Sequence, residues 1–365
     1  MVGGSAAELV AEGLRELDET TPPHNERVVA LFEQAIRIDP NLAAAHTALS
    51  KAYVQRACEL RLGRRWLDAA ITAGKKAVEL EPSSGRAYLA LGAAYRGKGK
   101  LRQELDLWQR RAAVDPTDAD ATERVGWIRW FTGDPDQAFP WLHKTVAQRP
   151  TGHWGHFYLG NANLAVENYA EAESLYRRAL ALHPDHSSAQ AGVIWSLLAA
   201  TKEKEARHEL RIFQATTFDD DRYFIKLSDV EHYLEENQSA LPHARKASTE
   251  EPEERYWPRG YLPSTIVGAI LWSADRTAAE NALRLSEEID RDRLEGGDEG
   301  YMCHIDLAAV WATRGDTSAA FQSFTSAIAA GWRSKTLAAR DPLFRSLRGH
   351  REIQSILNGK DQEMD

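Results

Sequence analysis

Residues 159–184 read LGNANLAVENYAEAESLYRRALALHP, and the spacing of small and large residues in them returns along the chain. Gly160 is followed by a small residue, Ala172, a large residue, Tyr176, and a closing proline, Pro184. Small residues suit places where two helices cross closely, a large side chain fills the gap beside them, and proline ends the second helix. These residues therefore predict two helices joined by a short turn.

The same pattern recurs at a fixed spacing. The closing prolines Pro82, Pro116, Pro150 and Pro184 lie 34 residues apart, and Pro252 lies two further periods along. A period of this length indicates stacked helix pairs, because one pair cannot bury its apolar face without its neighbours. We expect an all-α, right-handed solenoid of about nine antiparallel helix pairs with a C-terminal capping helix.

The predicted organisation is a single elongated domain over residues 1–365, because stacked pairs contact only their neighbours. Tyr53 and Ala70 are 17 residues apart where the regular period allows 9, so the second unit has an extended turn. The predicted parts are an N-terminal pair (1–40), a unit with the extended turn (41–82), regular 34-residue units (83–252), a looser pair (253–300), a final repeat unit (301–340), and a capping helix with a tail (341–365).

Composition and charge exclude several classes of protein. Of the 365 residues 43% are hydrophobic and 27% are charged, and the net charge of −9 argues against a nucleic-acid surface, which normally needs a basic patch. No run of about eighteen apolar residues could span a membrane, and the first residues do not read as a signal peptide. Two distant cysteines, Cys58 and Cys303, fit a reducing compartment. A cytoplasmic protein that contacts neither nucleic acid nor membrane is predicted.

Motifs for catalysis and for cofactors are missing from the sequence. It has no phosphate loop, no Gly-x-Ser-x-Gly, no His-Glu-x-x-His and no calcium loop. His153 and His156 could share a helix face, but no acidic or cysteine ligand stands at matching spacing, and His183 and His186 flank a turn. We therefore expect no metal, no cofactor and no enzymatic activity.

The repeat motif resembles that of the tetratricopeptide repeat family over nearly the whole chain. Its signature of large and small residues at fixed positions is met most fully in the unit before Pro116, although Glu104 stands where a small residue is expected. The matching residues there are Tyr88, Leu91, Gly92, Tyr95, Trp108 and Pro116. The resemblance implies an interaction module whose motifs serve packing.

A narrower resemblance covers both ends of the chain. Residues 21–46 and 77–82, and the ending at 330–332, 341–348 and 353–357, are similar to the repeat regions of bacterial regulators. In those proteins the repeats follow a winged-helix, a serine/threonine kinase or an adenylate-cyclase domain. The resemblance implies a regulatory scaffold.

In the tetratricopeptide fold the first helix of each pair lines a concave groove, which gives this chain a candidate binding surface. Aromatic residues collect at the inward positions of two adjacent repeats, and cations flank them. The candidate residues are Trp127, Trp130, Phe131, Trp154, Phe157, Asn161, Trp195, Arg86, Arg96 and Lys51. The aromatic rings could pack between helices, or they could form an apolar floor for a peptide or small ligand. The cations could engage carboxylates.

Three hypotheses for function follow. The favoured one is a protein-interaction scaffold, monomeric or weakly self-associating, that holds a peptide or helix of a partner in the groove. A small-molecule sensor or unusual enzyme in the aromatic-lined groove is the alternative, and a self-assembling scaffold is the third. Some family members bind acidic tails through paired Asn and Lys residues, but only Asn161 fits that pattern, so this activity is not implied.

Overall fold

The computed structural model describes residues 4–17, 21–60, 62–216, 218, 223–247, 260–295, 297, 300–332, 335–349 and 353. Within these ranges the regular elements are nineteen α-helices and one 3-10 helix. They are α1 Ala6–Glu16, α2 Pro22–Ile38, α3 Ala43–Cys58, α4 Arg65–Leu80, α5 Gly85–Gly97, α6 Leu101–Val114, α7 Ala119–Phe131, α8 Pro135–Gln148, α9 His153–Ala165, α10 Tyr169–Leu182, α11 Ser187–Ala199, α12 Glu203–Ala215, α13 Tyr223–Tyr233, α14 Asn237–Lys246, α15 Pro263–Leu271, α16 Arg276–Glu295, α17 Met302–Arg314, α18 Thr317–Ala329, α19 Lys335–Arg340, and the 3-10 helix Pro342–Leu347.

These helices follow one another as successive pairs, from α1 with α2 to α17 with α18, and the all-α solenoid fold is confirmed. The described residues group into two compact units. The first comprises Met1–Asp115 with Glu295–Glu299, and the second comprises Pro116–Leu294 with Gly300–Asp365. A single domain over the whole chain stays a prediction.

Close helix crossings explain the small residues of the motif. A Cβ atom on Gly160 would lie 2.9 Å from Cε1 of Tyr176, so only glycine lets α9 approach α10 this closely. Ala172 and Tyr176 are fully buried at the same crossing. Burial of one large side chain stabilises the fold by about 1.5–3 kcal/mol, and each repeat contributes such an anchor.

The turns between the two helices of a pair use a left-handed residue at the same 34-residue spacing. Gly99 and Gly133 occupy this position in two turns, and Glu167, Thr201 and Glu235 occupy it in the next three, with φ between 60° and 64°. Glycine takes this conformation freely, whereas the same conformation costs a residue with a side chain about 1–3 kcal/mol. Three successive turns of the second unit therefore carry a conformational cost that glycine would remove.

The C-terminal part of the chain differs from the single capping helix that the sequence predicts from residue 341. The structure has the short α19 and then a 3-10 helix, because Pro342 cannot continue α19 and Asp341 caps the new start by accepting the backbone N–H of Leu343 at 2.9 Å. Phe344 packs edge-on against Phe324 and Tyr261. The segment thus covers the core beside α18, and residues 350–352 and 354–365 of the predicted helix and tail lie outside the described residues.

Candidate partner-binding surface

Two of the candidate tryptophans lie in the core. Trp195 on α11 is 2% exposed, and its ring meets that of Tyr233 edge-on with centroids 5.1 Å apart. Trp130 at the end of α7 is 4% exposed and packs with Leu142 and Leu159. For these two residues the structure matches the first interpretation of the aromatic set, in which the rings pack between helices.

Three further candidates are partly or fully covered. Phe131 packs against the core cluster that contains Trp332 and Phe344, so the C-terminal part of the chain lies beside it. Trp127 is half-buried, with its ring 4.9 Å from that of Phe131. Asn161 is buried, and its Oδ1 accepts the hydroxyl of Tyr176 at 2.6 Å.

The candidate cations lie in the first unit, whereas all the candidate aromatics lie in the second. The guanidinium of Arg96 donates from Nε to Oε2 of Glu104 at 3.2 Å and from Nη2 to Oε1 of the same carboxylate, which is fully buried. Arg96 therefore neutralises the acidic residue that replaces the small residue of the motif. Arg86 and Lys51 are exposed.

An exposed aromatic surface is present at the start of α9. Trp154 is 43% exposed, and its indole stacks on Tyr158 at 5.6 Å and meets Phe157 edge-on at 5.7 Å between ring centroids. Because consecutive turns of a helix present positions 154, 157 and 158 on one side, the three rings form a continuous apolar face.

Three histidines complete this face, although no motif in the sequence joins them to the aromatic residues. The ring of His186 lies 4.7 Å from Trp154 and 4.8 Å from Phe157, while His153 lies 4.5 Å from His183. His183 and His186 come from the turn between α10 and α11, which the 34-residue period places beside the start of α9. We name His153, Trp154, Phe157, Tyr158, His183 and His186 the aromatic–histidine cluster.

One histidine of the cluster, His153, has a lowered pKa, and another, His186, accepts a backbone hydrogen bond. Burial lowers the pKa of His153, and the nearby His183 lowers it further. The backbone N–H of Ala189 donates to Nδ1 of His186 at 3.4 Å, so that this nitrogen carries no proton while it caps α11. The cluster therefore presents three aromatic rings beside His153, whose lowered pKa favours its uncharged form, and this surface suits an apolar or aromatic group of a ligand.

Two other kinds of site find no support in the part of the chain that the structure describes. No three or more His, Cys, Asp or Glu side chains there are grouped so that they could hold a metal ion. Among the same residues, no helix combines the length and the apolar character needed to cross a membrane.

A family model for the tetratricopeptide repeat matches residues 155–262, which begin within α9 and include most of the cluster. The match confirms the resemblance on which the repeat assignment rests. The attached regulatory domains of the narrower resemblance stay a prediction. Among curated proteins none matches this chain.

Several solved structures align with this chain. A tetratricopeptide repeat protein from Parabacteroides merdae ATCC 43184 aligns with a TM-score of 0.55 and 14% identity, over 69% of this chain and 95% of its own. A monomeric mutant of IFIT1 with m7Gppp-AAAA aligns with a TM-score of 0.50 and 14% identity, over 89% of this chain and 72% of its own. A thermophilic repeat protein from Thermus thermophilus has 22% identity and a TM-score of 0.40, over 53% of this chain and 100% of its own. Identities this low concern the fold alone.

Proposed function

We propose, from the match of residues 155–262 to the tetratricopeptide repeat family, that the chain is a protein-interaction scaffold whose aromatic–histidine cluster holds a partner peptide. Stacked repeats expose long surfaces whose shape is fixed by the helices behind them, which suits the capture of an extended segment. The partner contributes a large apolar side chain, and the cluster contributes the rings that receive it.

The exposure of Trp154 carries this proposal. Of the large apolar side chains that are exposed in the described part of the chain, Trp154 is the only aromatic one. Its ring is held in place by Tyr158 and His186 on two sides, so that little side-chain entropy is lost when a ligand binds. Rigid, half-exposed tryptophans of this kind are frequent energetic centres of protein interfaces.

The chemistry of the cluster favours an apolar anchor over a charged one. Burial lowers the pKa of His153, Nδ1 of His186 accepts the backbone N–H of Ala189, and the three aromatic side chains supply faces and edges for stacking. A phenylalanine, tryptophan or leucine of the partner would replace water on Trp154 and gain stacking or burial energy. Selectivity for the flanking residues would come from the neighbouring repeats.

Selection of random twelve-residue peptides displayed on phage against the immobilised full chain tests the proposal. We expect the selected peptides to share a large apolar residue, and calorimetry with synthetic copies should give at least a roughly tenfold weaker Kd for Trp154→Ala. Ile212→Ala is the matched control, because Ile212 is 42% exposed but lies on α12, the second helix of its pair. Equal affinity of the selected peptides for the wild type and for Trp154→Ala would refute the assignment of the cluster as the binding site.

A further inference from the structure

The three turns in which a residue other than glycine has the left-handed backbone conformation all lie beside residues 335–345. Glu167, Thr201 and Glu235 occupy the left-handed position at 34-residue intervals, and residues 335–345 run beside their turns. Glycine at these positions would remove the conformational cost, as it does at Gly133. At two of these positions, Glu167 and Glu235, the side chain makes a contact with the segment that glycine could not make.

The first and third of these turns contact the segment through the left-handed residue itself. Oε1 of Glu167 accepts the hydroxyl of Thr336 at 3.0 Å, and Thr336 also accepts the hydroxyl of Tyr169 at 3.1 Å. The carboxylate of Glu235 forms an ion pair with Arg345. Both contacts depend on a side chain that projects from the tip of the turn.

The middle turn holds the segment from both sides of Thr201. Arg340 donates from Nη1 to the carbonyl oxygen of Leu198 at 3.2 Å and from Nη2 to Oε2 of Glu203 at 3.3 Å. Charges are complementary at the middle and last turns, where Glu203 pairs with Arg340 and Glu235 pairs with Arg345.

An apolar contact fixes the register of the segment between these polar ones. Leu337 is buried in the core cluster that contains Trp195, and the hydroxyl of Tyr233 donates to the carbonyl oxygen of Leu337 at 3.0 Å. In the preceding turn, a Cβ on Gly133 would lie 2.8 Å from the carbonyl oxygen of Gly331. Glycine is needed in that turn because the backbone at Gly331 leaves no room for a side chain.

We propose that this edge of the second unit, formed by residues 166–169, 198–203 and 233–236, is a peptide-recognition surface separate from the aromatic–histidine cluster. Its occupant is the chain's own segment 335–345. The surface contacts the hydroxyl of Thr336, the apolar side chain of Leu337, and the guanidinium groups of Arg340 and Arg345. Glu167 and Glu235 contribute to this recognition from left-handed positions. The surface thereby holds the C-terminal segment against α11.

A charge exchange in the full chain tests the recognition. Arg345→Glu and Glu235→Arg should each increase amide hydrogen exchange of residues 335–345 by only about threefold, since both side chains of the pair are exposed to solvent. The double variant should restore exchange to nearly the wild-type rate, because it recreates the ion pair in reverse. Arg110→Glu, which alters an exposed pair with Asp106 on α6, is the control and should leave this segment unchanged.

Glu167→Gly separates recognition from simple packing. Glycine relieves the left-handed turn, so the variant should be at least as resistant to heat as the wild type, yet exchange at residues 335–340 should rise because Thr336 loses its acceptor. Unchanged exchange in Glu167→Gly, or failure of the double charge variant to restore protection, would overturn the proposal. Neither outcome of the exchange experiments changes the test of the proposed function, which compares peptide binding to the wild type and to Trp154→Ala.

Discussion

Two neighbouring helices, α9 and α11, occupy equivalent places in successive repeats and yet meet different surroundings. Every residue of α11 except Ser188 is buried, whereas α9 exposes Trp154 and leaves Phe157 and Tyr158 half-buried. Both helices pack on their own partner and on the next repeats, but α11 also receives α19 from the C-terminal part of the chain. The comparison shows that the open side chains of α9 lie at its start, whereas Trp195 of α11 lies in one core cluster with Leu337 of α19.

The largest expected difference is between the contributions of Trp195 and Trp154 to the free energy of unfolding. Trp195→Ala opens a cavity in a closed core and should lower the free energy of unfolding by about 3–5 kcal/mol. Trp154→Ala removes a half-exposed ring and should cost less than about 1 kcal/mol. Urea unfolding of the two variants, followed by circular dichroism, measures the difference. Equal losses would mean that the α9 face is covered as fully as the α11 face.

The same contrast between covered and open positions applies to the candidate cations. Arg96→Ala leaves the buried carboxylate of Glu104 without its guanidinium partner and should lower the free energy of unfolding by about 2 kcal/mol. Arg86→Ala alters an exposed side chain on the same helix and should change the free energy of unfolding by less than about 0.5 kcal/mol. Urea denaturation of both variants checks the pair, and a neutral Arg96→Ala would show that Arg96 is not needed to hold Glu104.

The smallest effect concerns pH at the open face. Because the pKa of His153 is lowered from 6.5 in the folded chain, the unfolded chain takes up the proton first as the pH falls. The free energy of unfolding therefore does not depend on His153 titration above pH 6.5. It decreases as the pH falls through 6.5, and the decrease ends below the lowered pKa of His153. Unfolding measured at about pH 7.5, 6.5 and 5.5, on either side of the ordinary histidine pKa, should show a smaller acid loss in His153→Gln than in the wild type. An identical pH dependence of the two chains would contradict this role of His153.

The repeat could be predicted from sequence because its causes are local. Gly160, Ala172, Tyr176 and the closing prolines act within one pair or between adjacent pairs, so their spacing determines where helices begin, cross and end. The capping segment was less predictable, because it starts at Pro342, capped by Asp341, as a short 3-10 helix and not as an α-helix.

The candidate surface could be predicted only in part. Periodicity gives the direction of a side chain from its own helix, but it does not show what lies over it. Trp195 is covered by a cluster that includes Leu337, 142 residues further along the chain, and no repeat pattern reports such a contact. The sequence analysis considered the histidines only as metal ligands, and their contact with the aromatic residues was missed for a related reason, since His183 and His186 belong to a turn whose neighbour is the preceding first helix. A cytoplasmic location, a monomer or weak homo-oligomer, and the lack of nucleic-acid contact stay predictions.

Fluorine NMR of the full chain labelled with 5-fluorotryptophan tests the difference between the two helices most directly. Trp154→Phe and Trp195→Phe assign the two resonances, and a selected peptide is then titrated into the labelled wild type. We expect the Trp154 resonance to respond to the change from H2O to D2O and to shift on addition of the peptide, while the Trp195 resonance does neither. A resonance of Trp195 that shifts on addition of the peptide, together with an unchanged resonance of Trp154, would contradict the account in which α9 is open to a partner and α11 is covered.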